Sequence, residues 1–208
     1  MFDSFADHFV PDSGVAATAW QETRLARADG YEEFADRYAG RSFEGGLYRV
    51  HSETSGPRSL ELVSESLPQF SQRACPFAYD WLGRQFALDG ARDQSGEALI
   101  LMLEPGTGQA LEIPLTFRAF HEQLDELREP ALANQFFTQW SEANAAALPL
   151  RLSDCAGYRV PLFLGGKDVV DNLEVIDLEV YWTLTGQLRS GTVRMKPGTS
   201  IRQVSAAR

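Results

Sequence analysis

Hydrophobic positions recur with a helical period in the first third of the chain. Tyr31, Phe34 and Tyr38 follow Asp29 at spacings of three and four residues, and Asp29 is of a type that caps helix N-termini. The pattern therefore predicts a helix over residues 30–38. The same reasoning predicts two further helices, at residues 3–8 and 59–67.

The middle of the chain changes to short apolar runs that are separated by turn residues, which is typical of β-hairpins. The turn residues are Asp80–Gly83 in one hairpin and Pro105–Gly108 in the other. The four predicted strands are Cys75–Tyr79, Gln85–Leu88, Ala98–Leu103 and Ala110–Ile113.

Helical spacing returns after the second hairpin. Thr116 is a suitable cap for one helix, and Pro130 begins another that runs to Trp140. Residues 175–188 alternate as in a strand but also carry a helical stripe, and their length favours a helix. These elements predict an α+β fold with a mixed or antiparallel sheet flanked by helices. We expect one compact unit, with a division into two lobes near residues 110–115 as the alternative.

The charge balance narrows the classes of partner. The chain has 208 residues with 29 acidic and 19 basic side chains, a net charge of -10. Residues 1–148 carry a net charge of -12 and residues 149–208 a net charge of +2. An acidic protein is a poor nucleic-acid binder, because phosphate contacts need a dense basic face. We therefore expect no nucleic-acid partner.

Other sequence features favour a cytoplasmic protein that does not bind a membrane. No apolar stretch approaches the roughly 18 residues of a membrane span, and Met1–Val10 lacks the basic and apolar regions of a secretory signal. Cys75 and Cys155 are the only cysteines, and we interpret them as free, buried thiols.

The motifs of catalysis and cofactor binding are missing from the sequence. The three histidines lack zinc-site spacing, and there is no nucleophile elbow. Gly106–Gly108 and Gly165–Lys167 are fragments of a phosphate loop and are better interpreted as turns. We therefore predict no catalytic residue, no metal site and no cofactor.

One acidic segment, residues 168–179, is a candidate partner-binding site. It has five acidic residues and no basic one after Lys167, and it alternates acidic with apolar side chains. Such a segment suits a basic groove on another protein, because complementary charge speeds encounter and sets specificity. The alternative is a solvated edge with acids at a helix start. The candidate residues are Asp168, Asp171, Glu174, Asp177 and Glu179.

The aromatic-rich hairpin at residues 76–86 is a second candidate. Its tip, Asp80 and Trp81, is a partner anchor if it is exposed. The alternative is a core hairpin whose Trp81 packs on the helices.

Four stretches of the chain resemble one family of bacterial proteins. The chain is similar, over residues 5–190, to type VI secretion immunity proteins that join a GAD-like N-terminal region to the C-terminal domain of the DNase-toxin immunity family. The resemblance divides the chain into residues 1–112 and 113–208. The stretches are Phe77–Asp89, Leu103–Gly108, Val160–Asp168 and Asp171–Trp182 with Gly186–Leu188.

The resemblance implies a cytoplasmic antitoxin that binds a cognate secreted toxin and occludes or distorts its active site. Toxic nucleases, which hold phosphates in a basic cleft, are the associated partners, and NAD-degrading toxins are another class. Two other functions stay open from the residues alone. One is an enzyme whose site combines distant residues such as Asp80, Arg84 and His121; the other is a small-molecule-binding regulatory module.

Overall fold

The computed structural model describes residues 2–12 and 14–192, with eight helices and eight strands in that part of the chain. The helices are α1 (Asp3–His8), α2 (Thr23–Ala26), α3 (Tyr31–Tyr38), α4 (Ser55–Ser66), α5 (Phe117–Gln123), α6 (Arg128–Leu132), α7 (Asn134–Ala143) and α8 (Leu178–Thr192). The strands are β1 (Ser42–Phe43), β2 (Tyr48–Val50), β3 (Ala74–Asp80), β4 (Gln85–Gln94), β5 (Glu97–Glu104), β6 (Gln109–Thr116), β7 (Asp154–Tyr158) and β8 (Leu173–Asp177).

The strands form two antiparallel sheets, which confirms the predicted α+β class. β1 to β6 lie in chain order in one meander, and β7 and β8 form a separate hairpin. Central strands of the meander are apolar on both faces. On β5, Ile100 and Met102 belong to one buried cluster and Leu101 and Leu103 to another. Helices therefore cover both faces of this sheet.

One face of the meander is packed with aromatic rings. Phe5 of α1 and Phe34 of α3 meet edge to face, with ring centroids 5.0 Å apart. His121 of α5 lies 3.9 Å from the Phe34 ring and 5.6 Å from the ring of Phe77 on β3. This cluster attaches the N-terminal helices and α5 to the same side of the sheet.

The opposite face is covered by α4 and α8, which pack against each other. The Ser66 hydroxyl donates a hydrogen bond to the Trp182 carbonyl at 2.9 Å. A Cβ atom at Gly186 would lie 2.8 Å from the Ser66 Cα atom, so only glycine allows this close approach. The Trp182 indole is fully buried and donates to the Gly83 carbonyl at 2.7 Å.

Most predicted elements are present, but several local predictions were wrong. Asp29 does not cap α3, because Gly30 occupies that position with φ +81° and Asp29 accepts from Arg118 instead. The helix predicted from Pro130 is broken at Ala133, whose φ of +50° separates α6 from α7. The expected division at residues 112 and 113 stays a prediction, and it falls within β6.

Candidate functional site

The acidic segment lies on the β7–β8 hairpin and the start of α8. β8 pairs with β7 in a register that places Glu174 opposite Gly157 and Asp177 opposite Asp154. The ambiguous stretch 175–188 is both strand and helix, since β8 ends at Asp177 and α8 begins at Leu178. All five acidic residues of the segment are exposed.

Asp168, Glu174 and Asp171 differ in the contacts that their carboxylates make. The Asp168 carboxylate accepts a hydrogen bond from the Tyr158 hydroxyl at 2.7 Å. Glu174 lies 3.5 Å from the guanidinium of Arg159, a pair that is half-exposed and therefore weak. Asp171 has no ion pair or side-chain hydrogen bond with any residue that the structure describes. Its carboxylate is therefore free to meet a partner from solvent.

The other two acids have structural roles. The Asp177 carboxylate accepts from the backbone N–H groups of Glu179 and Val180, both at 3.0 Å, and so caps the N-terminus of α8. Glu179 accepts from Arg58 of α4 at 2.8 Å. These contacts fit the predicted alternative of acids at a helix start, although both side chains also remain exposed.

Exposed apolar side chains are concentrated beside these acids. Nine large hydrophobic residues are exposed in the described chain, and five of them lie between residues 160 and 184. The five are Val160, Val169, Val175, Val180 and Leu184. Acidic and apolar side chains therefore share one surface, which is the composition expected of a protein-binding site with a charged partner.

A cleft of about 290 Å³ adjoins the end of the acidic segment. Asp177, Glu179 and Arg58 contribute to its lining, together with the buried His51 and Tyr79. We call it the α4–α8 cleft. Because Arg58 is paired with both Glu61 and Glu179, its positive charge is balanced within the protein.

His51 is a neutral group at the inner end of this cleft. Its Nε2 atom donates to the Gln85 side-chain oxygen at 2.7 Å, and its Nδ1 atom accepts from the Ser55 hydroxyl at 3.0 Å. Burial lowers the pKa of His51 to about 4, since a charged imidazole would lose its hydration. The imidazole therefore serves the fold as an uncharged hydrogen-bonding group.

The hairpin tip is not an exposed anchor, and this part of the predicted site is corrected. Asp80 and Trp81 are both fully buried. Asp80 accepts from the Arg84 guanidinium at 2.6 Å and from the backbone N–H groups of Leu82 and Arg84. The Trp81 indole donates to the Leu132 carbonyl at 2.9 Å. The tip is buried because later parts of the chain pack over it.

Within the described residues, the three side chains of the enzyme alternative, Asp80, Arg84 and His121, do not form a single site. His121 bonds to the Tyr48 hydroxyl and the Phe117 carbonyl, and neither Asp80 nor Arg84 contacts its ring. Five well-formed cavities in residues 2–12 and 14–192 are lined by none of these three candidates.

The described part of the chain has neither a metal-binding cluster nor a membrane-spanning helix. No group of three or more His, Cys, Asp or Glu side chains there is placed to hold a metal ion. No helix within that part is long and apolar enough to cross a membrane. Cys75 and Cys155 are free and buried, as predicted.

Sequence reasoning missed two components of this surface. β7 was not predicted, because all five of its residues are buried and no alternation marks it as a strand. The pairing of Arg58 with Glu179 joins residues 121 positions apart, and no local pattern reports such a contact. Only the alternation of acidic and apolar residues after Gly166 was visible.

The acidic segment lies within a part of the chain that matches a known protein family. Residues 116–189 match the family model of the T6SS immunity protein Tdi1, C-terminal. The match confirms the resemblance for that part of the chain. No curated protein sequence matches the chain significantly.

A solved structure shares the fold. The crystal structure of Atu4351 from Agrobacterium tumefaciens superposes with a TM-score of 0.63 and 15% sequence identity, over 90% of this chain and 89% of that one. At this identity the likeness concerns the fold, which extends over nearly the whole of both chains.

Proposed function

We propose that this protein is an immunity protein that binds and neutralises a toxin delivered by a type VI secretion system. The observation that carries the proposal is the match of residues 116–189 to an immunity-protein family. Every exposed acid of the acidic segment lies inside the matched region. The protein acts by stoichiometric binding in the cytoplasm and not by catalysis.

The toxin that best fits the surface is a nuclease with a basic cleft. A nuclease must hold phosphates, and an acidic protein surface can occupy such a cleft in place of nucleic acid. Residues 149–208 carry a net charge of +2, so the proposal rests on the local run of five acids between residues 168 and 179 and not on the net charge of this part of the chain. Within residues 149–192, six acids face four bases.

The test begins with capture of the partner. The tagged protein is used to pull down proteins from a lysate of its own organism, and the captured protein is expressed alone and together with this chain. We expect a single stoichiometric partner that is lethal alone and harmless in the pair. A partner whose toxicity is unchanged by co-expression refutes the proposed function.

Charge reversal on the exposed acids tests where the toxin binds. Asp171→Lys with Glu174→Lys should raise the dissociation constant by two or more orders of magnitude, because like charges then face the basic cleft. The free energy of unfolding should change little, since Asp171 has no partner in the described chain and the Glu174 pair is weak. Calorimetric titration gives the affinity, and urea unfolding gives the stability.

A matched variant separates local contacts from net charge. Glu32→Lys with Asp36→Lys makes the same charge change on α3. The buried side chains of α3 pack on the face of the meander that is opposite to α4 and α8. We expect this control to affect mainly the salt dependence of association. Equal losses of affinity in the two double variants would remove the acidic segment from the interface.

A further inference from the structure

The outer edge of β8 presents backbone groups that no strand of the described chain pairs with. Arg159 N–H donates to the Asn172 carbonyl at 2.8 Å, and Leu178 N–H donates to the Ser153 carbonyl at 2.7 Å. In an antiparallel pair, hydrogen-bonded positions alternate with positions whose backbone groups point away. Residues 174 and 176 therefore face β7, and residues 173, 175 and 177 face outward. The Leu173 N–H already donates to the Val170 carbonyl, so Val175 and Asp177 present the N–H groups that a further strand can use.

The contacts of β7 support this orientation. Ala156, which lies opposite Val175, donates its N–H to the Trp81 carbonyl at 2.7 Å, on the side away from β8. Tyr158, opposite Leu173, likewise donates to the Tyr181 hydroxyl. One edge of the hairpin is therefore occupied by the rest of the protein, and β8 forms the other edge.

The surroundings of this edge match an extended, basic partner. Val175 is 44% exposed at the centre of β8, and Glu174 and Asp177 are exposed beside it. From residue 168 to residue 188 the chain has five acids and no base. A strand that binds here lies beside the exposed carboxylates of Glu174 and Asp177, so its complement carries Lys or Arg.

Concave surface continues beyond both ends of β8. Asp177 lines the α4–α8 cleft at the C-terminal end of the strand. Asp171 and Val169 line an open groove of about 440 Å³ before its N-terminal end. An extended segment longer than β8 can therefore place side chains in both depressions while its backbone pairs with the strand.

We propose that the toxin binds by strand addition: an extended, lysine- or arginine-bearing segment of the toxin pairs with the outer edge of β8. This inference rests on the proposed function, since it names how the same surface binds the toxin. Backbone hydrogen bonds at residues 175 and 177 supply part of the affinity, and the flanking acids select a basic sequence.

Proline at position 175 tests the backbone contribution. Val175→Pro removes an N–H that points outward, so no bond to β7 is lost, and proline is tolerated at an outward-facing edge position. Val175→Ala removes the same side chain but keeps the N–H. With the captured toxin as the probe, we expect Val175→Pro to bind at least tenfold more weakly than Val175→Ala.

Amide hydrogen exchange in the unmodified protein supplies a second readout that does not depend on a variant folding. In the free protein, the amides of Val175 and Asp177 should exchange faster than those of Glu174 and Ile176. Addition of the toxin should slow exchange at Val175 and Asp177.

The outcomes separate the two proposals. Failure of the unmodified protein to bind or neutralise the captured toxin refutes the proposed function, and strand addition with it. If that toxin is bound and neutralised but exchange at Val175 and Asp177 is unchanged, strand addition is wrong and the immunity function stands. Equal affinity of the folded proline and alanine variants leads to the same conclusion, because a partner that docks through side chains alone tolerates the loss of one N–H.

Discussion

His121 is held as a neutral imidazole in an aromatic environment. Its Nδ1 atom donates to the Phe117 carbonyl and its Nε2 atom accepts from the Tyr48 hydroxyl, both at 2.9 Å. Burial lowers the pKa of His121 to about 3, and His51 has a similarly lowered pKa of about 4. Both histidines are therefore uncharged in the folded protein at pH values where the unfolded chain binds a proton.

The two lowered pKa values predict a loss of stability in mild acid. Each histidine contributes its full stabilisation above the unfolded pKa of about 6.5, and this contribution decreases as the pH falls toward the folded value. Between pH 7 and pH 5 we expect the free energy of unfolding to fall by about 2 kcal/mol for each buried histidine. Urea unfolding at the two pH values measures the difference.

Two glutamine variants assign this pH dependence. His121→Gln should reduce it by about half, because one of the two titrating groups is removed. His51→Gln should reduce it to a similar extent, because His51 is the other buried histidine with a lowered pKa. An undiminished pH dependence in His121→Gln would contradict the assignment to buried histidine.

The stretch from Leu173 to Leu188 explains why one element was ambiguous in the sequence. Alternation in β8 ends at Asp177, and the helical stripe of α8 begins at the next residue. The Asp177 carboxylate makes this abrupt change possible, because it caps the first turn of α8. Both periodicities in the sequence were real, and the error was to assign them to a single element.

The crossing of α4 and α8 predicts the effect of one added methyl group. Gly186→Ala should lower the free energy of unfolding by about 1–3 kcal/mol, because the new Cβ atom would lie 2.8 Å from the Ser66 Cα atom. Alanine otherwise favours helices over glycine, so a destabilising result has to come from the crossing. Gln187→Ala, at the exposed neighbouring position, is the control. Equal stability of the two variants would show that the helices move apart at no cost.

At the scale of the whole molecule, the buried Arg49 joins the two sheets. Its guanidinium donates to the Asp80 carbonyl at the end of β3 and to the carbonyls of Arg151 and Asp154 at the start of β7. It also lies over the Tyr79 ring, 4.4 Å from the centroid. These contacts link sequence positions up to 105 residues apart.

The sequence predicted the strands β3 to β6 of the meander but not this junction. Strands such as β5 are continuous apolar runs, so their burial is apparent from local composition. The burial of Asp80 depends on Arg84 and on segments that follow much later in the chain. A polar turn residue of this kind looks exposed in the sequence, and only the folded chain supplies the partners that let it be buried.

Shared buried contacts predict a single unfolding transition. Tryptophan fluorescence, from Trp81 and Trp182 among others, and far-ultraviolet circular dichroism should give coincident urea curves. Both indoles bond across the expected domain division, Trp81 to the Leu132 carbonyl and Trp182 to the Gly83 carbonyl. Two separated transitions would instead indicate independent lobes on either side of residues 112 and 113.

The exposed acids of this surface differ in how much stability is lost when they are substituted. Asp171 and Glu174 add little to stability, so the fold tolerates substitutions at these positions. Asp177 is constrained, because its replacement by a residue that does not cap would cost α8 about 1 kcal/mol. Under the proposed immunity function, the binding surface can therefore adapt to new variants of a toxin through a few positions that are neutral for stability, while the scaffold that presents them is retained.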